Sequence, residues 1–91
     1  LDQFGYESQR RAIAATQGGK FKDEIVPITI KTPDGSEEQH LTDEGIRYDV
    51  TLDGVRGVKL LQEGGAITAA TSSQICDGAS GVLVVNEAGL K

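Results

Sequence analysis

Two residue types that together could perform nucleophilic catalysis each occur once in the chain, a cysteine at position 76 and a histidine at position 40. A thiolate nucleophile needs a neighbouring base or a helix N-terminus to lower its pKa. Nothing in the sequence places His40, which lies in an acidic polar stretch, beside Cys76. We therefore predict that Cys76 is not a nucleophile but a small residue packed in a buried turn.

A group of carboxylates between positions 43 and 53 raises the alternative of a metal site. Its members are Asp43, Glu44, Asp49 and Asp53. Their spacing fits no calcium-binding loop, because the turn glycine and the distal bidentate glutamate are missing at the required positions. We interpret the stretch as a solvated acidic loop and predict no metal site.

Arg47 is the lone cation within that acidic loop, and it has two interpretations. Its guanidinium group could recognise a phosphate. It could instead form a local ion pair with Asp43 or Asp49, which contributes little at a surface. The residues alone leave both interpretations open.

A stretch of small residues, 66–80, is rich in Ala, Ser, Thr and Gly. Small side chains let a ligand or another chain approach the backbone closely, and hydroxyl groups supply hydrogen bonds. The same composition also suits a tight turn between two elements. Composition does not decide between a ligand-binding segment and a turn.

The first half of the chain is predicted to contain a helix and two strands. Residues 1–19 have helical spacing and end at Gly18-Gly19 in a left-handed cap. Residues 24–31 alternate as a strand, and Pro27, which donates no ladder hydrogen bond, places this strand at an edge or a bulge. Pro33-Asp34-Gly35 predicts a turn, with a return strand near 39–41. The packing stripe of the helix is predicted as Leu1, Phe4, Ser8, Ala12 and Ala15.

The second half is predicted to be less regular. Residues 42–50 are polar and are predicted to be irregular. Thr51 and Asp53 are predicted to open a short helix, one face of which extends as far as Leu61. Residues 66–70 are predicted to be extended. Apolar residues 82–85 predict a buried strand, and a capped helix start follows it at Asn86.

Composition limits what the chain can do. It has 91 residues, two Phe, two Tyr and neither Trp nor Met, so we predict a poor core and no self-sufficient fold. The net charge of −5 argues against a nucleic-acid surface. No apolar run approaches the roughly 20 residues that span a bilayer, and no signal peptide is present, so we predict no membrane partner and a cytoplasmic location.

Several motifs in sequence order resemble the thiolase family. The stretch GGAITAATSSQICDGASGVLVVNE, residues 64–87, closely resembles a thiolase signature with a small-residue turn, an Asp-Gly-Ala and an apolar strand. SQRRA at 8–12, GKFKDEIVPI at 19–28 and DEGIRYDVTLD at 43–53 resemble preceding thiolase segments. The resemblance covers essentially the whole chain.

The resemblance implies an α/β fold that is incomplete as an independent domain. Residues 1–65 match part of the coenzyme-A-binding loop domain, and residues 66–91 match a small-residue turn and the first strand of the C-terminal half. Because the chain has no Met and starts inside a predicted helix, we expect a middle piece of a longer thiolase.

The resemblance implies that the catalytic groups of the family lie outside this chain. The nucleophilic cysteine lies upstream, whereas the Asn of the NEAF motif, the His of the GHP motif and the second cysteine of the CxG motif lie downstream. Asn86-Glu87-Ala88 resembles the start of NEAF, but Gly89 replaces the Phe. We therefore expect no catalytic residue in this chain and no thiolysis by it alone.

Coenzyme A recognition is what the resemblance carries over. Arg47 matches an arginine that reaches the nucleotide phosphates or the adenine. Ser73 matches a serine that contacts the pantetheine arm, and Ala69 a backbone position beside it. The chain departs from the pattern at Gly54, where some members have a serine, and at Leu61, where some have an aromatic residue near the adenine.

The expected function is therefore that of a piece of an acyltransferase. The longer protein would transfer an acyl group between a catalytic cysteine and coenzyme A, with a coenzyme A thioester as substrate and no permanently bound cofactor. The resemblance implies a homodimer or homotetramer. The alternative is a thiolase-like protein that binds acyl-CoA or lipid without turning it over.

Overall fold

The computed structural model describes residues 1–91 as a series of short elements. Helix α1 ends at its predicted glycine pair, because Gly19 has a φ of 73°. The N–H groups of Gly19 and Lys20 donate to the carbonyl oxygens of Thr16 and Ala15 at 3.1 and 2.9 Å. The predicted left-handed cap is thus confirmed. The elements are α1 (Asp2–Gln17), β1 (Ile28–Lys31), β2 (Glu37–His40), α2 (Leu52–Arg56), a 3₁₀ turn (Ala69–Thr71) and α3 (Glu87–Leu90).

The packing face of α1 differs from the predicted stripe. Ala12 and Ala15 of that stripe are partly buried as predicted, but Phe4 is 80% exposed. Gly5 and Gln9, which lie off the stripe, are partly buried instead. α1 contacts α2 and the 3₁₀ turn, and a Cβ added at Gly5 would lie 3.0 Å from the Ala70 carbonyl oxygen. The helix therefore packs on the side that carries Gly5 and not on its bulkier apolar side, because a residue without a Cβ lets the backbones of α1 and the 3₁₀ turn approach closely.

The two predicted strands form an antiparallel hairpin. Ile28 lies opposite His40, and Lys31 lies opposite Glu37. The first strand is shorter than predicted and begins after Pro27, which cannot donate to the ladder. All eight strand residues are exposed, so the hairpin is held by its ladder and its turn rather than by a core.

Helix α2 begins as predicted but ends early. The Thr51 hydroxyl accepts a hydrogen bond from the Gly54 N–H at 3.0 Å, which caps the helix. The helix stops at Arg56, and the Leu61 N–H donates to the Ile67 carbonyl oxygen at 2.9 Å. That bond closes a loop, so the chain turns back before the predicted helical face reaches Leu61.

The predicted buried strand at 82–85 is wrong for this structure. The segment has no regular structure, and three of its four side chains are at least 87% exposed. A strand needs a ladder partner, and the two strands that form pair only with each other. The predicted helix start is confirmed, because Asn86 Oδ1 accepts from the Gly89 N–H at 2.9 Å.

The chain has almost no core of its own. Only Val55 and Thr68 are buried, and the radius of gyration is 18.2 Å. A compact chain of this length would have a radius near ~12 Å. The helices and the small sheet agree with an α/β fold that is incomplete as an independent domain. No helix has the length and apolar character needed to cross a membrane.

The hairpin turn contains a carboxylate with three hydrogen-bond donors. The hydroxyl of Thr32 donates to Asp34, as do the hydroxyl and N–H of Ser36 at 2.7 and 2.9 Å. These bonds lower the pKa of Asp34 from 3.8 to about 2, and the bond from Thr32 has the largest effect. The carboxylate therefore stabilises the turn fully above pH 3.8, and this contribution is lost as the pH falls through about 2.

We predict that an NMR titration of the Asp34 side-chain carbon has a midpoint near 2 in the folded protein. In the double variant Thr32→Val, Ser36→Ala, the two hydroxyl donors are absent, so the midpoint should rise toward 3.8. A midpoint that is the same in both proteins would contradict this account of the turn.

Candidate functional site

A cavity of about 840 Å³ lies between α1, the loop 42–50, helix α2 and the segment 69–75. The predicted site residues lie in the loop 42–50, in residues 54–61 and in the segment 69–75, and all of them line this cavity. They are Arg47, Gly54, Leu61, Ala69 and Ser73. The structure therefore places at one cavity the residues that the resemblance predicted as one site. Their contact with coenzyme A stays a prediction.

Helix α2 and the residues that follow it supply the apolar wall of the cavity. Val55, Val58 and Leu61 line it, and Val55 is the one buried hydrophobic residue of the chain. Gly54 also lines the cavity, and a Cβ there would lie 2.9 Å from the Thr51 hydroxyl. A serine at position 54 would thus force the cap of α2 to shift, which is a local physical reason for glycine.

A second wall is built around Thr68, which is 4% exposed. Its hydroxyl accepts from the Ala70 N–H at 3.2 Å. Its carbonyl oxygen accepts from the hydroxyls of Thr71 and Ser72 at 3.2 and 2.8 Å. The Thr71 hydroxyl in turn accepts from the Thr68 N–H at 3.1 Å, which completes a capping box. The predicted extended conformation is therefore wrong at 69 and 70, because the capping box folds them into the 3₁₀ turn.

The 3₁₀ turn determines what the small-residue stretch presents to the cavity. Ala69 and Ala70 line the cavity from the turn itself, and Ser72 and Ser73 line it from the residues that follow. The interpretation as a tight turn is therefore confirmed, and the stretch also forms a wall of the cavity, whereas its binding of a ligand stays a prediction. Its side chains leave room and offer hydroxyl groups.

Arg47 has no ion-pair partner in the structure. The ion pairs of the chain join Glu7 to Arg10 and Arg11 on α1. The predicted alternative, a local pair of Arg47 with Asp43 or Asp49, is therefore not formed. The Arg47 side chain is exposed at the edge of the cavity, and its guanidinium group is free to meet an anion.

Two glutamines of the site were missed by sequence reasoning. Gln9 and Gln74 line the cavity, and Gln9 Oε1 accepts from the backbone N–H of Arg47 at 3.0 Å. Gln9 lies off the apolar stripe predicted for α1, so periodicity gave no reason to select it. Only the fold shows that its side of the helix is the one that packs.

Cys76 and His40 are not brought together. Cys76 is an exposed thiol in the irregular segment after the cavity, and His40 is an exposed residue of β2. The prediction that Cys76 packs in a buried turn is wrong, because nothing in the chain covers that segment. No group of three or more His, Cys, Asp or Glu residues is placed to hold a metal ion.

Comparison with known proteins identifies the family of the chain. The family model described as "Thiolase, N-terminal domain" matches residues 1–88. The chain belongs to the thiolase family. A 3-ketoacyl-CoA thiolase from Stutzerimonas stutzeri is 47% identical over 87 residues, which are 93% of this chain and 22% of the relative.

Other thiolase relatives give the same picture. A probable acetyl-CoA acetyltransferase from Mycolicibacterium smegmatis is 40% identical, over 96% of this chain and 23% of the relative. A peroxisomal 3-ketoacyl-CoA thiolase from Arabidopsis thaliana is 43% identical, over 92% of this chain and 20% of the relative. This thiolase segment thus spans about a fifth of the length of the curated relatives that it matches.

We predict that Thr68→Val loosens the cavity wall of this thiolase segment. Valine removes the hydroxyl that caps the 3₁₀ turn and leaves the Ala70 N–H without its acceptor, at a cost of about 1 kcal/mol. Hydrogen–deuterium exchange of the Ala70 amide should become about fivefold faster. Thr68→Ser, which keeps the hydroxyl, is the matched control. Equal exchange in the two variants would contradict the role of the cap.

Proposed function

We propose that this chain is the part of a thiolase-type acyltransferase that contributes contacts to coenzyme A. The observation that carries the proposal is the meeting, at one cavity of about 840 Å³, of the five residues that the resemblance predicted for coenzyme A. A volume of this order suits a sizeable small-molecule ligand. The thiolase relatives, whose names include 3-ketoacyl-CoA thiolase and acetyl-CoA acetyltransferase, support coenzyme A thioesters as the ligand class.

The chemistry of the cavity walls is suited to the two ends of coenzyme A. Arg47 offers an unpaired guanidinium group for the nucleotide phosphates or the adenine face. Val58 and Leu61 offer apolar contact beside it. On the small-residue wall, Ala69 leaves room for the narrow pantetheine arm, and the Ser73 hydroxyl can hydrogen-bond one of its amides.

We propose that the chemical step is performed by groups outside residues 1–91. In the full-length protein a cysteine would take the acyl group from a 3-ketoacyl-CoA, and hydrogen-bond donors would stabilise the thioester oxyanion. The separation of Cys76 from His40 supports this division, because neither is placed to activate the other. The 91-residue chain alone should show no thiolysis.

Location and assembly remain predictions. We propose a cytoplasmic protein, although one relative from Arabidopsis thaliana carries "peroxisomal" in its name. We also propose that the full-length protein is a homodimer or homotetramer. The location follows from the composition of the sequence and the assembly from the resemblance, and they can be checked by cell fractionation and by the mass of the purified protein in solution.

We predict that Arg47→Ala in the full-length protein raises the KM for coenzyme A about tenfold, with little change in kcat. The reason is that a charged hydrogen bond to the ligand is lost while the acyl-transfer groups remain. Thiolysis of acetoacetyl-CoA at varied coenzyme A concentration measures both constants. Arg56→Ala, at the exposed end of α2 and away from the cavity, is the control arginine.

The outcomes separate the proposed function from its alternative. An unchanged KM in Arg47→Ala would refute the role of Arg47. Binding of acetoacetyl-CoA to the full-length protein without any turnover would instead favour a thiolase-like protein that binds acyl-CoA or lipid non-catalytically. In that case Arg47→Ala should still weaken binding in titration calorimetry.

A further inference from the structure

One side chain of α1 reaches across to the loop that carries Arg47. Gln9 Oε1 accepts the backbone N–H of Arg47 at 3.0 Å, and the two residues are 38 positions apart. In every other side-chain hydrogen bond of the chain, the two residues are at most 10 positions apart in sequence, and the bond with that separation lies within the hairpin. Gln9 is therefore the only side chain that ties two remote segments together by a hydrogen bond.

The loop has few other restraints. Residues 42–50 form turns but neither helix nor strand, and the Arg47 side chain makes no ion pair. At its start the Asp43 carboxylate accepts from the Gly45 N–H at 2.7 Å. A Cβ at Gly45 would lie 3.2 Å from the Gln74 side-chain amide, so the loop also passes close to the segment that carries Ser73.

These contacts hold the loop from two directions. The Gly45 end rests against the small-residue wall, and the Arg47 backbone is fastened to α1. Without the bond from Gln9, the Arg47 backbone would keep only the local bond from the Val50 N–H to its carbonyl oxygen at 3.2 Å, and the direction of its side chain would be less restrained. Ordering that backbone on ligand binding would then reduce the affinity.

We propose that Gln9 is a positioning residue for the binding of coenzyme A. It holds the Arg47 backbone so that the guanidinium group faces the cavity. The inference rests on the proposed function of Arg47. A neutral amide suits this position, because the loop already carries Asp43, Glu44 and Asp49. A carboxylate in its place would add a further negative charge near the phosphates that Arg47 is proposed to bind.

The test compares variants of the full-length protein, with coenzyme A as the probe in titration calorimetry. Gln9→Met keeps the length and helix propensity of the side chain but removes the acceptor. We expect its Kd for coenzyme A to rise about 3- to 10-fold, the range that one neutral hydrogen bond supports. The KM for coenzyme A should rise by a similar factor, with a smaller change in kcat. Gln17→Met, at the exposed last residue of α1, is the matched control.

Two further variants separate positioning from a direct ligand contact or a folding defect. In an Arg47→Ala background, Gln9→Met should have no additional effect, because Gln9 acts through Arg47. Gln9→Glu keeps the acceptor and should match the unsubstituted protein at about 1 M salt, where the Debye length is about 3 Å and the added charge is screened.

Each contrary result points to a different failure. An unchanged Kd in Gln9→Met, or an equal rise in both backgrounds, overturns the positioning role and leaves the proposed function intact. An unchanged Kd in Arg47→Ala itself overturns the proposed role of Arg47, and the inference falls with it. A loss of affinity in Gln9→Glu that persists at high salt also overturns the positioning role.

Discussion

The hydrogen bonds of Thr68 hold the part of the structure on which the site depends. Thr68 is one of two buried residues, and its hydroxyl and carbonyl oxygens together accept from the Ala70 N–H and from the Thr71 and Ser72 hydroxyls. A buried polar group is tolerable only when it is satisfied in this way. The resulting 3₁₀ turn gives α1 a surface to pack on, and the close approach at Gly5 brings the helix against it.

The site is built from polar anchors rather than from a hydrophobic core. Val55 is the one buried apolar side chain, so apolar burial supplies little of the energy that orders the cavity. Local caps at Thr51 and Thr68 shape two of its walls, and the bond from Gln9 to Arg47 ties the third segment to α1. Each anchor is worth on the order of 1 kcal/mol, so single substitutions should loosen the site measurably.

The apolar residues that the chain does possess are mostly exposed. The segment 82–85 and Ile75 illustrate this, since Ile75 and three of the four residues of the segment are nearly fully exposed. Leaving several such side chains in water forfeits about 1.5–3 kcal/mol for each one. These 91 residues therefore do not bury the surface that an independent domain buries, which agrees with a segment that spans about a fifth of its thiolase relatives.

Local chemistry, readable in the sequence, determined the caps and turns. Gly19 ends α1, Asp34 and Gly35 turn the hairpin, and Thr51 and Asn86 cap their helices as predicted. Each of these depends on residues within about five positions of one another, so the sequence contains all that they require. The order of the thiolase motifs likewise indicated the family, and the residues that it predicted for coenzyme A line one cavity.

Tertiary structure alone decided which segments meet. It turned α1 so that Gln9 rather than Phe4 faces the packed side, and it placed Arg47 and Ser73 at one cavity although they are far apart in the chain. It also left 82–85 without a strand partner. Periodicity describes one element at a time, whereas contacts between elements depend on close approaches such as that at Gly5. Strand formation depends in the same way on a neighbour that no single segment can supply.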